Sequence, residues 1–390
     1  MPNYPGIYQP SQFTYPASEI DLRLFAIPAL NQGSENACFT YAMDEDISLM
    51  MARVHVNPAI DPNAWYQDTL TYEGMAGTNA GIYPADAVTV AMNTGVPETI
   101  SFEYLSRIDL NKSIDSALSE GYAVAVSVVE YAWLPKLSGP IYGAGQDVAA
   151  LALKYPQFVG MNHASIIVGK TAMTHGGGYI LESTWGTGYG DTGYWFLPYS
   201  MTNIVTFAGI VDGYGDRDFR HTPERDMAAE LYVALFNRAA EHSGMEYWAH
   251  ELTGKTTAQV AQAMFNCDPA RTLYPAGATA AQVVNAFYTN ILGRQADAAG
   301  LSYWSAEYTA KGAGATIADI VFAVNAYSGY SEDALISKAM FQNKCAVSEY
   351  YGLMLQGEDI GIAQHALVGV NANPQEMEVA KIGIAHELGF

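Results

Sequence analysis

Positive charge is scarce in this chain. Eighteen Lys and Arg stand against 40 Asp and Glu in 390 residues, a formal net charge of -22. That balance argues against nucleic acid and anionic membrane as partners, because both would be repelled. Charge of either sign is thin as well, at 15% of residues against about 25% in an average globular chain. Long apolar runs are missing too. No 18-residue apolar segment occurs, and Met1 to Tyr15 lacks a basic start followed by an apolar run. The sequence therefore predicts no membrane-spanning helix and no Sec signal peptide. Cysteine is limited to Cys38, Cys267 and Cys345, too few for a disulfide framework. Cys267 and Cys345 either pair or stay free, and free thiols are expected. Neither has a neighbouring ligand at zinc spacing, so no metal site is expected.

What remains is an apolar, tyrosine-rich chain. Half of the residues are apolar, with 27 Tyr and 36 Gly, a composition common on surface-exposed proteins. At 390 residues, two domains are the natural division. The chain centres on Asn31-Gln32-Gly33-Ser34-Glu35-Asn36-Ala37-Cys38-Phe39. Beyond Cys38, Met43, Ile47, Met50 or Met51, and Val54 recur at helical spacing. With Ser34 or Asn36 as N-cap, Cys38 falls in the first turn, where the helix dipole and free N–H groups favour a thiolate. Gln32 can then turn its amide, with the Cys38 N–H, toward an oxyanion. The competing reading is a small buried thiol that opens an amphipathic helix.

The segment Asn31 to Ala42, NQGSENACFTYA, resembles the nucleophile segment of papain-like cysteine peptidases, NQGSCGSCWAFS. The resemblance implies Cys38 as nucleophile and Gln32 as oxyanion donor. Glu35 takes the place of a structural cysteine, and Phe39 that of a tryptophan. Two further segments fit. Asn162-His163-Ala164 heads an apolar strand, as the family's Asn-His-Ala does, and implies His163 as general base. Ser183-Thr184-Trp185-Gly186-Thr187-Gly188-Tyr189-Gly190 resembles NSWGTGWG. There the imidazole-orienting Asn falls on Ser183, while the shielding Trp185 is kept. A hydroxyl on a shorter arm weakens that support. The Gly-rich stretch before Pro84 resembles the family's substrate-contacting loop, which implies Gly77, Gly81, Ile82 and Tyr83 in substrate binding, together with Asn162 and Trp185. The null alternative for the loop is a plain connection.

The implied fold is α+β: a two-lobe domain, helical then β-rich, followed by a separate all-α domain. Asp21-Leu22-Arg23 reads as an opening strand, Pro84 to Thr94 and Leu110 to Ser119 as helices, and Tyr122 to Val129 as a strand begun after Gly121. An N-terminal extension is expected over 1–20, the peptidase-like domain over 21–213 and a polar, Gly-rich linker over 214–223. About thirty residues precede Gln32, too few for the family's inhibitory pro-segment. The expectation is a chain made active, silenced in another way, or not a protease in practice.

Past the linker an internal repeat appears. Leu231-Tyr232, Arg238, Gly244 and Tyr247-Trp248 return as Phe287-Tyr288, Arg294, Gly300 and Tyr303-Trp304, always 56 residues later. This resembles a tandem helical domain of unknown function in bacterial exported, surface-layer and phage-related proteins. It is expected over 224–353, with the arginines bonding turn carbonyls or acids and the aromatic pairs opening buried helices. Gly300 reads as a turn glycine and Asp297 as a cap. Ser331 to Tyr351 and a stretch from Pro374 read as further helices, the latter within a tail over 354–390.

Two functions compete. One is a peptidase cutting peptide or protein substrates through Cys38 and His163, with residues 224–390 attaching it to a virion or cell-surface partner. The other is a papain-fold structural or adhesive component with a vestigial pocket. Neither needs a cofactor. The compartment stays open: virion-associated, or exported without a signal peptide.

Overall fold

A computed structural model describes residues 19–94, 100–142, 146–172 and 176–390; most of the 1–20 extension lies outside them. The chain divides into two compact units between Arg220 and His221. The first is α+β and the second all-α, as the sequence implies.

In the first unit, strand β1 (Ile20–Asp21) leads to helices α1 (Cys38–Ala52), α2 (Pro62–Tyr72) and α3 (Pro84–Thr94). After them come β2 (Ile100–Tyr104), α4 (Leu110–Glu120), β3 (Val124–Tyr131), α5 (Val148–Lys154), β4 (Phe158–Thr171), β5 (Gly178–Ser183), β6 (Tyr194–Pro198), β7 (Val205–Tyr214) and β8 (Arg217–Asp218). The eight strands form one antiparallel sheet ordered β2-β7-β3-β4-β5-β6, with β1 added to β4 and β8 to β7. β3, β4 and β5 are rich in Val, Ile and Leu because the sheet is covered there. Val124, Ile166, Ile167, Ile180 and Leu181 are fully buried.

Local chemistry explains the helix ends. Pro62 and Pro84 each open a helix, where the missing N–H costs nothing. Asp61 caps α2 by accepting the Asn63 and Ala64 N–H groups. Gly121, at φ 103°, ends α4 in the left-handed conformation. The opening strand is shorter than expected. Only Ile20–Asp21 pair, and Leu22–Leu24 turn into a 3-10 helix because Asp21 accepts the Arg23 N–H. α1 runs against the sheet, where Phe39 meets Phe207 edge-on at 5.2 Å. Such a contact contributes about 0.5–1.5 kcal/mol beyond its buried area.

The second unit comprises α6 (Pro223–Phe236), α7 (His242–Leu252), α8 (Thr257–Phe265), α9 (Asp268–Leu273), α10 (Ala280–Leu292), α11 (Ala298–Lys311), α12 (Ala313–Ala326), α13 (Glu332–Glu349), α14 (Ile360–His365) and α15 (Pro374–Glu387). The repeat is visible in the helix bounds. α7 and α11 begin at 242 and 298, and α8 and α12 at 257 and 313, both 56 apart. Three details differ from expectation. Tyr247 and Tyr303 lie inside α7 and α11 rather than at their starts, and Trp248 and Trp304 are half-buried rather than sealed. Gly300 is no turn residue: it sits in α11 under the Tyr288 hydroxyl, 2.7 Å from where a Cβ would lie. Asp297 does cap, accepting the Gly300 N–H at 2.8 Å. Ser331 precedes α13 without a side-chain cap bond.

Among the described residues no helix is long and apolar enough to cross a membrane. All three cysteines are free thiols. Residues 214–223 hold the end of β7, the β8 pair and the buried Phe219 before Thr222 caps α6.

Candidate active site

Cys38 is the first residue of α1, and Ala37 stands at the cap position with no side-chain cap bond. Neither Ser34 nor Asn36 caps the helix. Asn36 instead clasps the Gly-rich loop: its N–H donates to Asn79 Oδ1 at 2.9 Å and its amide to Asn79 O at 2.7 Å. Asn79 Nδ2 returns a bond to Ser34 O at 3.1 Å. The turn before the nucleophile position is thus tied to the loop through Asn79, a residue the motif comparison did not single out.

The sulfur faces backbone donors. The Ala164, Phe39 and Cys38 N–H groups all turn toward it and lower its pKa, yet the protein packed around it outweighs them and holds the thiol above its ordinary 9.0. The Glu130 carboxylate adds to that rise. The first-turn position was expected to favour a thiolate, but burial decides the balance the other way.

His163 lies in the middle of β4, opposite Val128 of β3. It is 3% exposed, and burial drives its pKa down to about 3. Its Nε2 has no hydrogen-bond partner. The ring stacks on Trp185, centroids 4.0 Å apart, and Trp185 in turn meets Tyr189 edge-on at 4.9 Å. Both His163 and Cys38 therefore rest uncharged near neutral pH. The two elements that bear them meet, since α1 packs against β4.

Gln32 is buried, and its backbone N–H donates to Thr184 O at 2.9 Å. Its Nε2 donates to Glu35 O at 2.6 Å and its Oε1 accepts the Thr184 hydroxyl at 2.6 Å. One amide hydrogen is thereby committed inside the turn, and the second is the one left for a ligand. Ser183 is fully buried, and its Oγ accepts the Trp185 N–H at 3.3 Å rather than bonding the imidazole. Asn162, exposed, donates to Thr206 Oγ1 at 3.3 Å. In the Gly-rich loop, Gly77 has φ 77° and neither it nor Gly81 has an atom within contact range of a Cβ. Ile82 packs on the Ala37–Tyr66–Leu70 cluster, whereas Tyr83 is 69% exposed. The structure thus sets α1 against β4, stacks Trp185 on His163 and ties the loop through Asn79 to the turn before Cys38; among the described residues Ser183 makes no hydrogen bond to the ring.

Behind the site lies a feature the helical pattern hid. Glu45 and Glu182 are both fully buried. Glu45 accepts the Leu30 N–H at 2.8 Å and Glu182 accepts the Tyr194 hydroxyl at 3.4 Å. Each keeps one oxygen without a partner. Burial pushes Glu182 up to about 8 and Glu45 well above the carboxylate range, where Glu182 adds repulsion.

Metal-type donors converge once among the described residues. His221, Asp226 and Glu349 bring ligating atoms within 4.8 Å of one another in the second unit. The His221–Asp226 contact is 3.1 Å and the His221–Glu349 contact 3.9 Å. The two carboxylates flank one imidazole, an arrangement that serves a charge network as readily as an ion.

Comparison with known proteins adds the following. Residues 261–316 match a domain of unknown function (DUF4214). No curated protein matches the chain. Among solved structures, digestive procathepsin L 3 of the Tenebrio molitor larval midgut is 16% identical, with a TM-score of 0.39 over 53% of this chain and 72% of that one. Xylellain, a cysteine protease from Xylella fastidiosa, is 15% identical, with a TM-score of 0.40 over 53% and 90%. The bromelain protease of Ananas comosus in complex with the E64 inhibitor is 16% identical, with a TM-score of 0.38 over 50% and 98%. So loose an overlap assigns no role to any residue here.

Proposed function

We propose that the first unit is a papain-like cysteine peptidase. Cys38 attacks the scissile carbonyl of a peptide or protein substrate. His163 accepts the thiol proton and returns it to the leaving amine, and the Cys38 N–H with the second Gln32 amide hydrogen holds the oxyanion. The observation that carries this reading is the packing of α1, which Cys38 opens, against β4, the strand that bears His163. The loop Gly77 to Tyr83, with Asn162 and Trp185, is proposed to contact substrate, and residues 224–390 to attach the chain to a virion or cell surface.

One observation favours a second reading, a catalytically weakened papain-fold structural or adhesive component. Among the described residues His163 Nε2 has no partner and Ser183 bonds the Trp185 N–H instead of the ring, so no side-chain hydrogen bond there fixes a useful tautomer. Labelling of the intact protein by a peptidyl electrophile decides between them. The peptidase reading expects modification at Cys38 that disappears in Cys38→Ser and slows in His163→Ala. An inert Cys38 in a folded protein overturns it in favour of the second.

A further inference from the structure

The two repeats of the helical unit use the same residues differently, and the difference opens a pocket in the second copy. In the first copy Arg238 is 8% exposed, donates to Ala239 O at 3.0 Å and is paired with Glu241. Phe236 fills the space beside it, edge-on to Tyr232 at 5.4 Å. The second copy carries Leu292 where Phe236 stands and Asp297 where Glu241 stands. The smaller leucine leaves room. The shorter Asp297 carboxylate is spent on the Gly300 N–H that starts α11. Arg294 is consequently exposed, and its one hydrogen bond is a 3.3 Å contact to Gln295 O.

That guanidinium stands at the edge of a cavity of about 140 Å³ lined by Tyr288, Trp304, Ile320, Val324 and Tyr327. It lies 5.9 Å from the centroid of the Tyr288 ring, and Trp304 is half-buried against the same cavity. The cavity is well below the roughly 300–1,000 Å³ of sites for drug-sized molecules, so the occupant is compact. Its walls are aromatic and aliphatic, and its single charged group is a cation with a fork of donors suited to a carboxylate. In a chain of net charge -22, Arg294 has no carboxylate partner among the described residues.

We propose that this pocket binds a carboxylate carried on a compact apolar or aromatic body, with Arg294 holding the acid and Trp304 and Tyr327 the body. The acid could be supplied in either of two forms, a free small molecule or the last residue of a polypeptide.

The test uses the full chain and the indole N–H resonances of Trp304 and Trp248, assigned through single Trp→Phe variants. Phenylacetate is expected to shift the Trp304 signal saturably and leave Trp248 in place. Phenylacetamide, the neutral analogue, and acetate, which lacks the body, should each bind about tenfold or more weakly. Arg294→Gln should abolish the preference for acid over amide, and an unmoved Trp248 signal shows that the variant is folded. A peptide ending in Phe, compared with its C-terminal amide, separates the sources: tighter binding of the peptide acid than of phenylacetate assigns a chain terminus, and the reverse a free acid. The proposal is overturned if phenylacetate leaves Trp304 unmoved at millimolar concentration, if acid and amide bind alike, or if Arg294→Gln keeps the preference.

Discussion

His163 lies nearly flat on Trp185, with ring planes 27° apart and centroids separated by 4.0 Å. The indole is half-buried while the imidazole is sealed, so Trp185 is a cover that keeps water from the ring and holds the imidazole neutral by denying its cation solvation.

Removing the cover should restore the charge. Trp185→Ala is expected to move the His163 pKa from about 3 toward its ordinary value by roughly one unit or more, read from the pH dependence of the imidazole NMR signals. A pKa that stays put would place the desolvation in the sheet rather than in the indole. The native depression also sets an acid limit. A histidine buried neutral supports the fold above its unfolded pKa, and that support is lost as pH falls from about 6.5 toward about 3.

Cys38 is half-buried and should behave as a desolvated thiol. Its alkylation rate with iodoacetamide is expected to climb through and beyond pH 9, since the thiol is raised above 9.0. Glu130→Gln removes one of the charges that raise it and should move the profile to lower pH. A rate already flat at neutral pH would mean that a thiolate is present after all.

Ser183→Asn tests the missing support for the imidazole. The amide reaches further than the hydroxyl, so labelling of Cys38 by a peptidyl electrophile should speed up. Ser183 is fully buried, and the added volume should cost about 1–3 kcal/mol in urea unfolding. Unchanged labelling would show that His163 is oriented by other means.

The buried carboxylates give the fold a pH slope of its own. Glu182 is raised to about 8, so the folded chain holds a proton that the unfolded chain releases. Its contribution is intact below about pH 4.5 and is lost as pH rises through about 8. Glu182→Gln should therefore flatten stability across that window and make the protein more stable than wild type at its alkaline end. Equal slopes in urea titrations of the two proteins would remove Glu182 as the source.

Much of this was legible because local chemistry agreed with the final packing. Pro84 to Thr94 was readable from a proline at the first helical position, and the 56-residue register of α7 and α11 from identities that recur at one spacing. At the candidate site the motifs imply that the elements bearing Cys38 and His163 lie together, and α1 does pack against β4 while Trp185 stacks on His163. What escaped depends on distant partners. Asp44, Glu45 and Asp46 look like the wet face of a helix, yet all three are buried because α1 is covered on more than its apolar side. Asn36 resembles a cap in sequence, but Asn79 competes for it from 43 residues away. Gly300 has a glycine's look of a turn, and only the Tyr288 hydroxyl explains it as a seat.

The strand that carries His163 is bonded along both edges. Val124 to Val129 of β3 pair with Ile167 to Asn162 on one side, and Ser183 to Leu181 of β5 pair with Ser165 to Ile167 on the other. Amides paired on both sides, from Ser165 on, just past His163, are expected to exchange with solvent only when the whole unit opens, whereas the turn before Cys38 is held by the Asn36–Asn79 bonds at an exposed site. The two halves of the site therefore keep different time. The imidazole is fixed for as long as the unit stays folded, and adaptation to an incoming chain falls to the Gln32–Ala37 turn and the loop it clasps.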